Sequence, residues 1–158
     1  MNRRQWIGSG AAAAALLLTA GLIYEFRALD ERDREILAAI LPVMLYGSLP
    51  KNDDALRSAI EGFDIAIAGL TPSVQSEIAQ LFTILRVPPL RMIATGIMRP
   101  WHVASQEEIA RFLNGWRYSK ITSLRSAYDA LHQLSYAAWY GNPQSWPSTG
   151  YPGPPKLS

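Results

Sequence analysis

Ala104 to Trp116 reads ASQEEIARFLNGW, and this stretch decides the fold. Ser105 and Glu108 have S-x-x-E spacing, in which the serine hydroxyl accepts from the backbone N–H three residues on and the glutamate reaches back to the serine N–H. Ile109, Phe112 and Leu113 follow at the three- and four-residue intervals of a helix with one apolar stripe. A capped, amphipathic start predicts a helix, and the same rhythm continues in both directions along the chain.

On the C-terminal side, Lys120 to Tyr140 is the longest helical run after the N-terminal apolar segment, with Ile121, Leu124, Tyr128, Leu131, Ser135 and Ala138 on one stripe. Gly141-Asn142-Pro143 stops it, with glycine at the expected C-cap. On the N-terminal side, DERDREILAAILPVMLYG places Ile36, Leu37, Ile40, Leu41 and Met44 at helical spacing. Pro42 predicts a kink or a split there, because proline lacks the N–H and its ring crowds the preceding turn. Asn52 opens a further helix that runs to Gly69, and Thr71-Pro72 opens the next, with Val74, Ile78, Leu81, Phe82 and Leu85 on its inner face. Pro88-Pro89 ends that helix, and a short apolar segment, Leu90 to Met98, follows. Nothing alternates with period two for long enough to make a strand, and no repeat of solenoid length occurs. The expectation is an all-α chain: a compact bundle of five or six helices over residues 25–141, then an extended tail rich in proline and aromatics over 142–158.

The 158 residues suffice for one domain with appendages, and 49% hydrophobic against 18% charged side chains can build a packed core. The formal net charge is +2, and Arg3 and Arg4 account for that surplus, so the body beyond them is neutral. A neutral body with dispersed charges offers nucleic acid no electrostatic footprint. The absence of cysteine excludes disulfides, thiolate metal sites, a cysteine nucleophile and a lipid anchor on cysteine.

Side chains able to do chemistry are few. His102 lies in a loop, RPWHVAS, and His132 follows Asp129 by three residues, so that pair shares a helix face. A metal site needs more ligands than this, and an ordinary hydrogen-bonded helix pair is the plainer reading. Asp53-Asp54 and Glu107-Glu108 each fall in a first helical turn, where carboxylates favour the helix dipole. No glycine-rich phosphate cradle and no nucleophile elbow is present. The pattern predicts a chain without catalytic, metal-binding or cofactor-binding residues and without a cofactor of its own.

The N-terminus, MNRRQWIGSGAAAAALLLTAGLIYEF, has a short positive region and then an apolar run from Ile7 to Tyr24, the layout of an export signal. Arg3 and Arg4, followed by the apolar Trp6 and Ile7, resemble a twin-arginine translocation signal over residues 1–24. Asn2 stands where Ser or Thr is commoner, and Gly8 where Lys is frequent. A general secretory signal with two incidental arginines is the alternative. Thr19-Ala20-Gly21 is an imperfect cleavage site, which leaves open an uncleaved helix that anchors a periplasmic scaffold in the inner membrane, with its arginines on the cytoplasmic side. Either way the body is expected in the periplasm, with membrane contact through this segment.

The other end, WYGNPQSWPSTGYPGPP from Trp139 to Pro155, holds too many prolines for a regular element and too many rings for an idle tail. An extended proline-rich strand loses little conformational entropy on docking, and large rings supply contact area. Trp139, Tyr140, Trp146, Tyr151 and Pro152 are therefore the candidate partner contacts. The competing reading folds the tail back over its own bundle. FLNGWRYS (Phe112 to Ser119), AAWYGNPQSW (Ala137 to Trp146) and the terminal GYPGPP (Gly150 to Pro155) together resemble the gluconate 2-dehydrogenase subunit 3 family. These are small subunits of flavin dehydrogenases of the glucose-methanol-choline type. The resemblance implies a partner that carries FAD and performs the oxidation, with a cytochrome c subunit as onward acceptor in some complexes. It implies that the small subunit binds no cofactor, and that its signal takes the folded flavoprotein through the twin-arginine translocase.

Overall fold

The structure, a computed structural model, describes residues 29–153. Arg3, Arg4, Trp6 and Ile7, and with them the whole export-signal reading, lie outside those residues. The described chain is all-α, with seven α-helices, two short 3-10 turns and no strand. The helices are α1 (Glu31–Met44), α2 (Asp53–Ala68), α3 (Pro72–Arg86), α4 (Pro88–Thr95), α5 (Gln106–Arg117), α6 (Thr122–Tyr140) and α7 (Trp146–Thr149). None of them is long and apolar enough to cross a membrane.

Helix α1 is the hub: it packs against α2, α3, α5, α6 and the 3-10 turn at Trp101–Val103. Its start is fixed twice. Asp30 accepts from the N–H groups of Arg32 and Asp33, while the Asp33 carboxylate reaches back to the Asp30 N–H, a reciprocal cap. Arg86 at the end of α3 then pairs with Asp30 at 3.1 Å and with the buried Asp33. Burial lowers the pKa of this guanidinium, but the hydrogen bond and charge of Asp33, with those of Asp30, outweigh it and the net shift is upward. Pro42 neither splits nor ends α1, which continues through it to Met44; the helix gives up the one bond that an N–H at position 42 would make to the Ala38 carbonyl.

The most extensive helix packing is α2 against α6. Gly62 explains the approach: a Cβ there would run into the carbonyl of Ala138. Ser135, fully buried on the same side of α6, turns its hydroxyl back to the Leu131 carbonyl at 2.6 Å. Around this seam the core closes with Phe63 edge-on to Phe82 at 6.2 Å, and with Phe112 edge-on to both Trp101 and Trp116.

Three expectations change. Val74 stays exposed, since α3 packs only through Ile78, Leu81, Phe82 and Leu85. The segment after Pro88-Pro89 is itself a helix, because prolines that cannot continue one helix are tolerated in the first turn of the next. The described part of the tail is coiled rather than extended. Asn142 caps a 3-10 turn over Pro143–Ser145 by accepting from the Gln144 N–H, and α7 follows. Ser145 donates back to the Asn142 carbonyl at 2.8 Å, and Gly150 (φ 71°) lets the chain reverse so that Tyr151 meets the Trp146 ring edge-on.

Candidate interaction groove

The C-terminal helix carries a second pattern besides its buried stripe. Tyr128, His132, Tyr136 and Tyr140 recur every four residues, which places them one above another on one side of α6. Their rings form a column with centroid separations of 5.8, 4.4 and 5.5 Å and interplanar angles of 27°, 30° and 38°. At its lower end the Arg117 guanidinium lies over both Tyr118 and Tyr128, at 5.3 and 5.8 Å. At its upper end the Tyr140 hydroxyl donates to Ser48 at 2.9 Å, tying α6 to the turn after α1.

The column forms one wall of an open groove of about 530 Å³. The end of α1 supplies Val43 and Met44, the turn after it supplies Tyr46, and α5 supplies Ala110, Leu113 and Arg117. Tyr46 is 80% exposed at the mouth. Aromatic faces, an arginine and amide groups at Gln106 and Asn114 make a surface suited to gripping another chain. Among the described residues no group of three or more His, Asp or Glu could hold a metal ion.

The residues singled out in the sequence fall in different places. Trp139 is only 1% exposed, so the expectation that it contacts a partner is corrected: α6 is covered on more than one side, and Trp139 packs in the core next to Ala138. Its indole N–H has no protein partner. Tyr140 is half-exposed at the top of the ring column, Trp146 is half-buried under the tail, and Tyr151 and Pro152 are exposed. His132 stacks between two tyrosines instead of pairing with Asp129. His102 meets Glu35 at 2.6 Å, linking the 3-10 turn to α1, and this hydrogen bond holds the Glu35 carboxyl below its ordinary value. The acidic pairs act as helix starts: Asp54 bonds Arg57, Glu107 bonds Arg111, and Glu108 closes the Ser105 cap. Sequence reasoning missed the groove as such. The four-residue ring spacing was its visible signal, whereas Tyr46 joins from far away in sequence.

Set beside protein-family models, curated proteins and solved structures, the chain matches none.

Proposed function

We propose that this chain is a non-catalytic small subunit and export escort of a periplasmic FAD-dependent dehydrogenase of the glucose-methanol-choline type. It supplies the twin-arginine address through Arg3 and Arg4 and grips the folded flavoprotein, which carries the chemistry. The observation that carries the reading is the open ring column of α6, which ends at Tyr140 inside AAWYGNPQSW, one of the three segments on which the family resemblance rests. Stacked tyrosines with few rotatable bonds make contact at low entropic cost, as an escort of an already folded partner requires. Tyr151 and Pro152 extend the same grip from the tail.

The test is co-expression with such a flavoprotein lacking a signal of its own. The flavoprotein reaches the periplasm, FAD-loaded and active, only when this chain is present. Lysine at both Arg3 and Arg4 leaves the pair in the cytoplasm, and Tyr46→Ala with Tyr136→Ala separates the two proteins while the body stays helical. Full export and activity of the flavoprotein without this chain would refute the proposal. N-terminal sequencing of the exported chain addresses the alternative, a membrane-anchored periplasmic scaffold: a start near Leu22 excludes the anchor.

A further inference from the structure

The groove beside the ring column is charged differently at its two ends. Helix α5 lines it from Gln106 and Glu107 through Leu113 to Arg117, a run of about 16 Å at the helical rise. At the first end Glu107 is neutralised by Arg111 at 3.1 Å. At the second end Arg117 has no such partner. Its guanidinium is exposed, lies over the rings of Tyr118 and Tyr128, and makes no ion pair or hydrogen bond among the described residues. No acidic residue occurs between Glu108 and Asp129, an interval that holds Arg111, Arg117, Lys120 and Arg125. Glu108 is closed into the Ser105 cap, and Asp129 does not line the groove. Arg125 is turned onto the Ser119 carbonyl and the Thr122 hydroxyl.

A guanidinium stacked on two rings is held in place, yet keeps its N–H donors for an acceptor that arrives from outside. Those donors form a planar fork that matches the two oxygens of a carboxylate. The lining next to it is rich in polar groups with no hydrogen bond among the described residues: the hydroxyls of Tyr128 and Tyr136, the His132 imidazole and the Asn114 amide. Between them Val43, Met44 and Leu113 add apolar surface. A nucleic acid or another uniform polyanion would need cations along the whole length, whereas this groove meets it with Glu107 at one end. The arrangement complements a polypeptide segment with apolar side chains along it and a carboxylate at the Arg117 end.

We infer that the groove receives an acidic and apolar segment of the flavoprotein, with an aspartate or glutamate clasped by Arg117 and apolar side chains over Met44 and Leu113. This rests on the escort reading and adds to it the chemistry of what is gripped. The test measures the affinity of the full chain for the folded flavoprotein at low salt and at about 1 M salt, where the screening length falls to about 3 Å. Arg117→Gln should bind about tenfold more weakly than the parent at low salt and nearly as well at high salt, with its helix content unchanged. Arg117→Lys keeps the charge and should keep most of the salt dependence. Arg57→Gln, an exposed arginine of α2 outside the groove, should behave as the parent does. Arg117→Lys also places an amine at that position, which a carbodiimide should join by an amide bond to a carboxylate of the flavoprotein, with the linked peptides identified by mass spectrometry. The inference is overturned if Arg117→Gln keeps the parent's affinity and salt dependence, if Arg57→Gln loses as much, or if the amine at position 117 links to nothing in the flavoprotein. In those cases the groove still serves as the grip, provided that Tyr46→Ala with Tyr136→Ala separates the two proteins. A parent chain that binds no flavoprotein at either salt would instead refute the escort reading, and this inference with it.

Discussion

Helices α4 and α5 lie side by side, joined where the Trp116 indole donates to the Ala94 carbonyl at 2.7 Å, and they face their apolar residues in opposite directions. Helix α5 follows the usual logic of a surface helix. Ile109, Phe112, Leu113 and Trp116 point inward, Glu107 and Arg111 pair outside, and Ser105 caps the start. Helix α4 starts on two prolines with no side-chain cap, buries an arginine and exposes methionine and isoleucine. The amphipathic helix reports where the protein's own core lies. The inverted helix leaves its isoleucine and one methionine facing outward and puts its cation to structural use.

The junction between them is the place to break the comparison most severely. Trp116→Ala removes a buried ring that packs edge-on against Phe112, together with the hydrogen bond from its indole to the Ala94 carbonyl. It should cost about 3–5 kcal/mol in urea unfolding. Trp116→Phe keeps most of the ring and should cost clearly less. Arg91→Met comes next. Methionine fills much of the space but leaves the carbonyls of Ile97 and Met98 without their donor, for an expected loss of about 1–3 kcal/mol. If this substitution were neutral, the inversion of α4 would not depend on its buried cation.

The cap of α5 gives a smaller effect that also depends on pH. Ser105→Ala should cost about 1 kcal/mol, because the Glu108 N–H loses its acceptor. Glu108 is held below its ordinary carboxyl value, chiefly by the Ser105 backbone N–H, and Glu35 likewise by His102. A carboxyl whose pKa is lower in the fold contributes stability above the unfolded value of 4.5 and loses it as pH falls through the folded one. Stability should therefore decline from near pH 5 downward, and Glu108→Gln or Glu35→Gln should each flatten that acid limb in denaturation curves taken across the range.

The same contrast shows which features sequence can disclose. Helix α5 was legible because cap, stripe and period agree within one stretch, and α1, α2, α3 and α6 were legible on similar grounds. Pro88-Pro89 hid α4, since proline is both a stop for one helix and a permitted start for another. The burial of Trp139 and the contact of Gly62 with Ala138 depend on partners distant in the chain, so no local period encodes them. The ring column had a local signal, Tyr128, His132, Tyr136 and Tyr140 at four-residue steps. It was masked because Tyr128 also falls on the apolar stripe running from Ile121 to Ala138. Its meaning as a groove required Tyr46, which α1 brings from another part of the chain.

The smallest expected effect is the one that sharpens the contrast most. Ile93 and Ile109 are the same residue on neighbouring helices, one 72% and the other 1% exposed. Ile109→Ala opens a cavity beside Phe112 and Leu113 and should cost about 2–5 kcal/mol. Ile93→Ala removes atoms that already face outward and should leave the unfolding midpoint within about 0.5 kcal/mol of the parent. Matched chemistry with unmatched cost means that stability does not account for an isoleucine at position 93. A large loss at Ile93 would instead place that side chain in a packed environment and return α4 to the ordinary pattern of α5.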